Sequence, residues 1–315
     1  MAEQDSNLNS ILGQVSLVTA NYGEGVVFAE VINDWFEFLG GKPGEVVVVD
    51  CGSDASTQNI CWQLFQSGVI DKLQLIHSSN DDFGRDKGYI KEYTAGAIAS
   101  KPYVLLFKTD TLPYREGNEE WLVDAVAYLD RDDVFAVGGS FNLPSKHHEA
   151  WAGWYFSHKC SYNFALMKRE KFMAAVHEFA NNFVLAGFQG ENPAAKTMQD
   201  RYFTEVAFED YMERHNLYTL VKVEEPNWTV FHTNTHDERL KQVREQYRAR
   251  RKIKKYMNLG NSDEALDPAK ALYYGFPTAG PLKRLRIAFG KSTLGIRWRE
   301  LKQQILRKPQ SSASS

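Results

Sequence analysis

Through the first half of the chain, short apolar runs alternate with segments whose apolar residues recur every three or four positions. The runs at 15–20 (VSLVTA), 45–50 (EVVVVD), 73–77, 103–107 (YVLLF) and 134–137 read as strands, most of them too uniformly apolar to face water on either side. Helical spacing between them predicts helices over 26–39, from 56 toward Gly68, over 87–100 and over 119–129. Gly40-Gly41 supplies the stop for the first helix, and Ser56 is placed to cap the second. Strand–helix alternation of this kind predicts βαβ units and a mainly parallel sheet.

After Ser140 the pattern changes. Trp151, Trp154, Tyr155 and Phe156 crowd together with His147, His148 and His158. A strand at 162–167 precedes a helix beginning near Glu170, and a second helix is expected over 201–215. Short strands at 218–223 and 229–231 lead into a highly charged helix over 237–256. The segment past Gly260 reads as an appendage with a helix at 294–306. The last seven residues, PQSSASS, are low-complexity and expected to be disordered. The boundaries that follow are a unit over 13–235 (halves 13–140 and 141–235), a basic helical extension over 236–308, and a tail over 309–315.

Composition narrows the class. With 315 residues, 43% of them hydrophobic and 13% aromatic, the chain can bury a full α/β core. A net charge of -3 and a pI near 6.3 argue against a general nucleic-acid binder. Cys51, Cys61 and Cys160 are too few and too scattered for a disulfide framework or zinc cluster, and fit a reducing, cytoplasmic setting. No apolar run approaches the roughly 20 residues that span a bilayer. Charge is uneven, however: residues 282–308 hold nine Lys or Arg and a single Glu. At 294–306, Trp298, Leu301 and Ile305 share a helical face beside Arg297, Arg299 and Lys302. That pattern suits a peripheral helix on an anionic membrane surface, or a helix docked on its own domain with a solvated basic face.

Four features carry chemistry, in order. The loop after the first strand, TANYGEG, is small and polar. The second strand ends in DCGSDAST, with Asp50 and Asp54. The fourth ends in FKTDT, a lysine and a carboxylate at the carboxyl end of a strand, where open α/β sheets bind ligands. Finally FTEVAFEDYMERHNL places Glu209 and Asp210 on a helix, and PNWTVFHTNTH ends a strand in His232. Together these resemble glycosyltransferase family 2, inverting enzymes with a GT-A fold, over roughly residues 13–235.

The resemblance implies a mixed, mainly parallel α/β sheet flanked by helices, with a helical C-terminal extension. It implies a nucleotide-diphosphate sugar donor, with a UDP-sugar favoured, and a hydroxyl-bearing glycan or lipid-linked acceptor. Asp110 occupies the second acid of the family's Asp-x-Asp motif and His232 its downstream histidine, so both are the expected ligands of a divalent metal, Mn²⁺ or Mg²⁺. Asp210, with Glu209 before it, takes the place of the catalytic base. Thr19, Asn21, Tyr22, Asp50, Asp54, Arg85 and Lys87 would line the nucleotide-sugar pocket, and Trp151 and Trp154 would form a platform for the acceptor. The chain departs from the pattern at Lys108, which replaces the first acid. An ammonium there can approach a diphosphate but repels a metal, so a weaker metal requirement is expected. A catalytically weak GT-A-like binding protein is the alternative that Lys108 raises. Plainer readings stand beside each site: Asp50 and Asp54 as turn and cap, Glu209 and Asp210 as solvated helix charges, Trp151 and Trp154 as core.

Overall fold

The computed structural model describes residues 2–76, 88–115, 121–138, 149–151, 154–197, 203–222, 228–233, 236–249, 272–273, 276–277 and 285. A helix that the polar N-terminal sequence hides, α1 (Ala2–Leu12), comes first and packs Leu8 and Leu12 on the core. Then come β1 (Val15–Asn21), α2 (Gly25–Leu39) and β2 (Glu45–Cys51), with both strands buried along their whole length. Gly40 ends α2 in the left-handed region (φ 83°), which a residue without Cβ adopts freely. α3 (Ala55–Gln66) is capped by Asp54, whose side chain accepts from Thr57 N, and not by Ser56 as expected. An aspartate two residues earlier reaches the orphan amide of the first turn, where Ser56 already lies inside the helix.

β3 (Lys72–Ile76), α4 (Tyr89–Ile98) and β4 (Tyr103–Phe107) follow. The strand β5 (Thr111–Arg115) was not anticipated, because Pro113 sits in its middle and argues against a sheet interior. It is tolerated because β5 belongs to a separate two-stranded ladder. α5 (Trp121–Leu129), β6 (Val134–Gly138), β7 (Glu149–Trp151), β8 (Trp154–Ser157), β9 (Phe164–Lys168) and α6 (Arg169–Leu185) come next. The described part closes with α7 (Phe203–His215), β10 (Tyr218–Lys222), β11 (Trp228–His232) and α8 (Asp237–Arg248), then a two-residue pair of β12 (Leu272–Tyr273) and β13 (Phe276–Pro277). The expected helix at 294–306 and the tail lie outside the described residues.

Nine strands form one sheet in the order β3-β2-β1-β4-β9-β6-β10-β8-β7. β9 and β8 run against the other strands, so the sheet is mixed and mainly parallel, as the sequence predicts. Successive side chains on a strand point to opposite faces. Val46 and Val48 therefore join Leu105 and Phe107 under α2 and α5, while Val47 and Val49 join Leu106 and Phe135 under α4, α6 and α7. Trp35 of α2 anchors the first core, with its ring centroid 5.3 Å from Phe107 and 5.5 Å from Phe164. Full burial of each such side chain contributes about 1.5–3 kcal/mol. This two-faced packing fixes the carboxyl ends of β1, β2 and β4 along one edge. No helix among the described residues is long and apolar enough to cross a membrane.

Candidate active site

The polypeptide turns sharply after β4. Thr111 donates its amide to the Lys108 carbonyl at 2.9 Å and its hydroxyl to the same oxygen, so residues 108–111 form a tight bend. Asp110 at that bend is only 7% exposed. The chain then enters β5, which pairs antiparallel with β11 in a register that sets Thr111 opposite His232. That ladder brings together two side chains 122 residues apart: His232 Nε2 donates to Asp110 Oδ2 at 3.1 Å. Thr233 fixes the bend from the same side, its amide (2.8 Å) and hydroxyl (2.9 Å) both donating to the Asp110 carbonyl. Burial pushes the Asp110 carboxyl up, but the His232 hydrogen bond and the charges of His232, Lys108 and His236 outweigh it and hold it below its ordinary value.

Lys108 lies on a neighbouring strip of the same edge. Its Nζ is 3.1 Å from Glu92 Oε1 of α4 and 5.9 Å from the centre of the Tyr162 ring. Burial pushes this amine down, but the carboxylates of Glu92 and Glu205 dominate and hold it charged well above its ordinary range. Glu205 of α7 accepts from Ser161 Oγ at 3.0 Å and from Tyr162 N at 2.8 Å. The loop continues to Asn163, whose carbonyl accepts from Lys108 N (3.3 Å) and whose amide nitrogen is 3.5 Å from His232 Nδ1. Residues 161–163 therefore join Glu205 to the Asp110–His232 pair.

The end of β1 forms the other wall. Thr19 Oγ1 and Asn21 Oδ1 are buried and have no hydrogen-bond partner among the described residues. Tyr22 is 62% exposed, with Lys91 Nζ 5.2 Å from its ring centre, and Lys91 lies 3.5 Å from the Asn21 carbonyl. Burial holds the Lys91 amine below its ordinary value.

Several expected ligands are occupied by structural work. Asp50 is fully buried: Asn21 Nδ2 donates to Oδ2 at 2.8 Å, Ser53 N donates to Oδ1 at 3.2 Å, and Ser53 Oγ donates to Oδ2. Ser53 Oγ in turn accepts from Gly23 N at 2.8 Å. Asp50 thus ties the β1 and β2 loops together and is closed off from solvent. Asp54 is exposed and spent as the α3 cap, with its carboxyl lowered by the Thr57 amide. Trp154 is 4% exposed and edge-on to Tyr128, so it is core and not an acceptor platform. Trp151 is described only as part of the β7 backbone, and Arg85 and Lys87 lie outside the described residues. On α7, Asp210 Oδ2 pairs with Arg214 at 2.7 Å, and Glu209 lies 3.9 Å from Lys159. It is Glu205, unremarked in the sequence, that reaches the Lys108 cluster.

Among the described residues no group of three or more His, Cys, Asp or Glu side chains gathers. One carboxylate and one imidazole, adjacent and nearly buried, fit a divalent-metal site whose remaining ligands are substrate oxygens. The Asn163 amide nitrogen beside Nδ1 is an outer neighbour that can donate to this imidazole and help orient it.

No family model and no curated protein matches the sequence. Solved structures do. A mannosyltransferase from Pyrobaculum calidifontis, in complex with GDP-Man and Mn²⁺, is 14% identical with a TM-score of 0.36, over 78% of this chain and 84% of that one. GalNAc-T7 with UDP, GalNAc and Mn²⁺ is 13% identical with a TM-score of 0.45, over 93% of this chain and 57% of that one. S. aureus TarS 1-349 in complex with UDP-GlcNAc is 17% identical with a TM-score of 0.43, over 92% and 77%. Likenesses this distant assign no activity to the chain.

Proposed function

We propose that the chain is an inverting GT-A glycosyltransferase that moves a sugar from a nucleoside diphosphate to an acceptor hydroxyl. The observation that carries this reading is the Asp110–His232 pair, 7% exposed at Asp110, at the carboxyl end of β4 in a mixed α/β sheet. Asp110 and His232 would hold a Mn²⁺ or Mg²⁺ ion, which when bound supplies Lewis-acid stabilisation of the departing diphosphate. The remaining roles fall to the chain itself. Tyr22, exposed at the end of β1 beside the buried Thr19 and Asn21, offers aromatic surface to the nucleoside. Lys108 contributes fixed positive charge beside the metal pair, where negative charge develops on leaving phosphate oxygens. Glu92 holds that charge in place. A carboxylate of α7 takes the acceptor's proton. The acceptor is a hydroxyl of a glycan or a lipid-linked sugar, and the basic 282–308 segment brings the chain to the cytoplasmic face of a membrane.

A second reading, a GT-A-like protein that binds a sugar nucleotide without turning it over, is favoured by one observation. Lys108 is engaged by Glu92, and among the described residues two metal donors, Asp110 and His232, stand together. The two are separated by measuring melting temperature with UDP and GDP, with and without Mn²⁺, alongside sugar transfer and donor hydrolysis. Ligand at 100 times its dissociation constant stabilises the native state by about 2.7 kcal/mol. Stabilisation that Mn²⁺ enhances and Asp110→Ala abolishes, together with turnover, supports the enzyme. Stabilisation without turnover of any donor supports the binding protein. No stabilisation by any nucleoside diphosphate overturns both.

A further inference from the structure

Resting on glycosyl transfer at this site, we propose that Glu205, and not Asp210, is the α7 carboxylate that removes the acceptor's proton. Three observations place it there. Glu205 is tied through Ser161 and Tyr162 to the loop whose next residue, Asn163, touches both Lys108 and His232. The carboxylate is thus linked to the metal pair through the short 161–163 segment. Its Oε1 accepts both loop hydrogen bonds, and its Oε2 makes none among the described residues. Lys108 and Glu205 also feel each other's charge strongly.

Asp210 is placed otherwise. Residues on a helix advance about 100° each, so Asp210 stands roughly 140° around α7 from Glu205, while Glu209 stands only about 40° away. Asp210 is paired with Arg214 on its own helix. Burial holds the Glu205 carboxyl above its ordinary value, Lys108 opposes this, and Glu92 adds to it. Other groups around it are Glu209 of the same helix and the Cys160 thiol. A buried carboxylate with a raised pKa and one uncommitted oxygen is suited to general-base work near neutral pH.

The step balances simply. The acceptor O–H bond breaks as its oxygen forms a bond to the anomeric carbon, and the proton passes to Glu205 Oε2. The bond from the anomeric carbon to the phosphate oxygen breaks, its electron pair leaves with the nucleoside diphosphate, and Glu205 returns its proton to water.

The rival role for Glu205 is purely structural, as an anchor for the 161–162 loop, and Glu205→Gln separates the two. A glutamine carbonyl still accepts from Ser161 and Tyr162, but the side chain takes up no proton. We expect Glu205→Gln to keep the wild-type melting temperature and nucleoside-diphosphate binding while kcat falls about 10²–10⁴-fold. The acidic limb of the wild-type pH–rate profile should vanish with it, and Glu205→Asp should recover part of the rate. Wild-type turnover with Glu205→Gln near the wild-type rate overturns the assignment alone, as does a larger loss in Asp210→Asn than in Glu205→Gln. If Glu205→Gln does not fold, the Glu205→Asp profile decides: an acidic limb unmoved from wild type overturns the assignment. Absence of sugar transfer by the wild type itself overturns the glycosyltransferase reading, and this assignment with it.

Discussion

At the scale of single residues, charge is organised in pairs of a buried carboxylate and a partly exposed lysine. Lys108 and Glu92 are one. Glu92 is 7% exposed, so removing the ammonium leaves a carboxylate that water reaches poorly. Lys108→Met should cost about 1–3 kcal/mol in urea unfolding, and adding Glu92→Gln should recover part of the loss. Equal and additive losses in the two single variants would show that the pair is not coupled. Glu45 is the second case. It is 4% exposed and accepts from Ser16 Oγ (2.6 Å), Ser100 N (2.8 Å) and Ser100 Oγ (2.7 Å), with Lys72 Nζ at 2.8 Å. Burial pushes its carboxyl up, but Lys72 and the serines outweigh that and lower it from 4.5 to about 2. Because the folded value lies below the unfolded one, its stabilisation is full above about pH 4.5 and is lost as pH falls toward 2. That is worth roughly 3 kcal/mol at neutral pH. Unfolding followed from pH 7 to 2 should show this loss, and Glu45→Gln should flatten the slope below pH 5. Of the site residues, Asp110 and His232 were legible because a carboxylate or imidazole ending a strand is conspicuous. Glu92 and Glu205 were not, since a glutamate on a helix looks the same in sequence whether water or a lysine faces it. Asp50 and Asp54 were legible both as turn and cap and as ligands, and the sequence alone does not choose, because a buried turn and a ligand loop use the same residues.

At the scale of elements, apolar runs located β1, β2, β4 and β6 within a residue or so, since strands buried on both faces must be apolar throughout. Elements whose reason lies elsewhere in the chain were missed. β5 exists because β11 pairs with it, and that distant partner outweighs what Pro113 argues locally. α8 shows the same dependence, and its helical pattern alone does not say where it docks. Arg244 grips the buried Asp34 of α2 with two bonds, Nε to Oδ2 at 2.6 Å and Nη2 to Oδ1 at 2.9 Å, and also reaches Glu30. Arg248 pairs with Asp34 and Glu37, and His236 Nδ1 lies 2.6 Å from Glu24. Leu240 and Val243 add the apolar part of the contact. Asp34 is 4% exposed, so loss of its bidentate partner leaves a poorly solvated carboxylate with Arg248 alone. Arg244→Ala should destabilise the chain by roughly 3 kcal/mol. Hydrogen exchange should accelerate over α8 well before it does over β1 and β4. Uniform acceleration across the sheet would mean that α8 is part of the cooperative core and not a docked element.

At the scale of the whole molecule, a net charge of -3 conceals two opposed regions. Residues 282–308 carry nine cations and Glu300, a net of +8, which leaves -11 on the rest of the chain. An acidic body bearing so concentrated a basic segment is not drawn to anions in general, but that segment has its own field. Each Lys or Arg near an anionic bilayer contributes about 1 kcal/mol, an attraction confined to a Debye length and weakened by salt. Trp298, Leu301 and Ile305 add apolar surface at spacing that one helical face would share. The full chain is therefore expected to sediment with vesicles containing phosphatidylserine and to remain in solution with phosphatidylcholine alone. Raising salt from 0.1 to 0.5 M should release it. Replacing Arg297, Arg299 and Lys302 together by Glu should abolish sedimentation while leaving nucleoside-diphosphate binding intact. Equal binding to both vesicle types, or no effect of the charge reversal, would assign the basic segment to the protein's own surface. A lipid-linked acceptor would then lose its main physical argument, and a soluble glycan would become the substrate to test first.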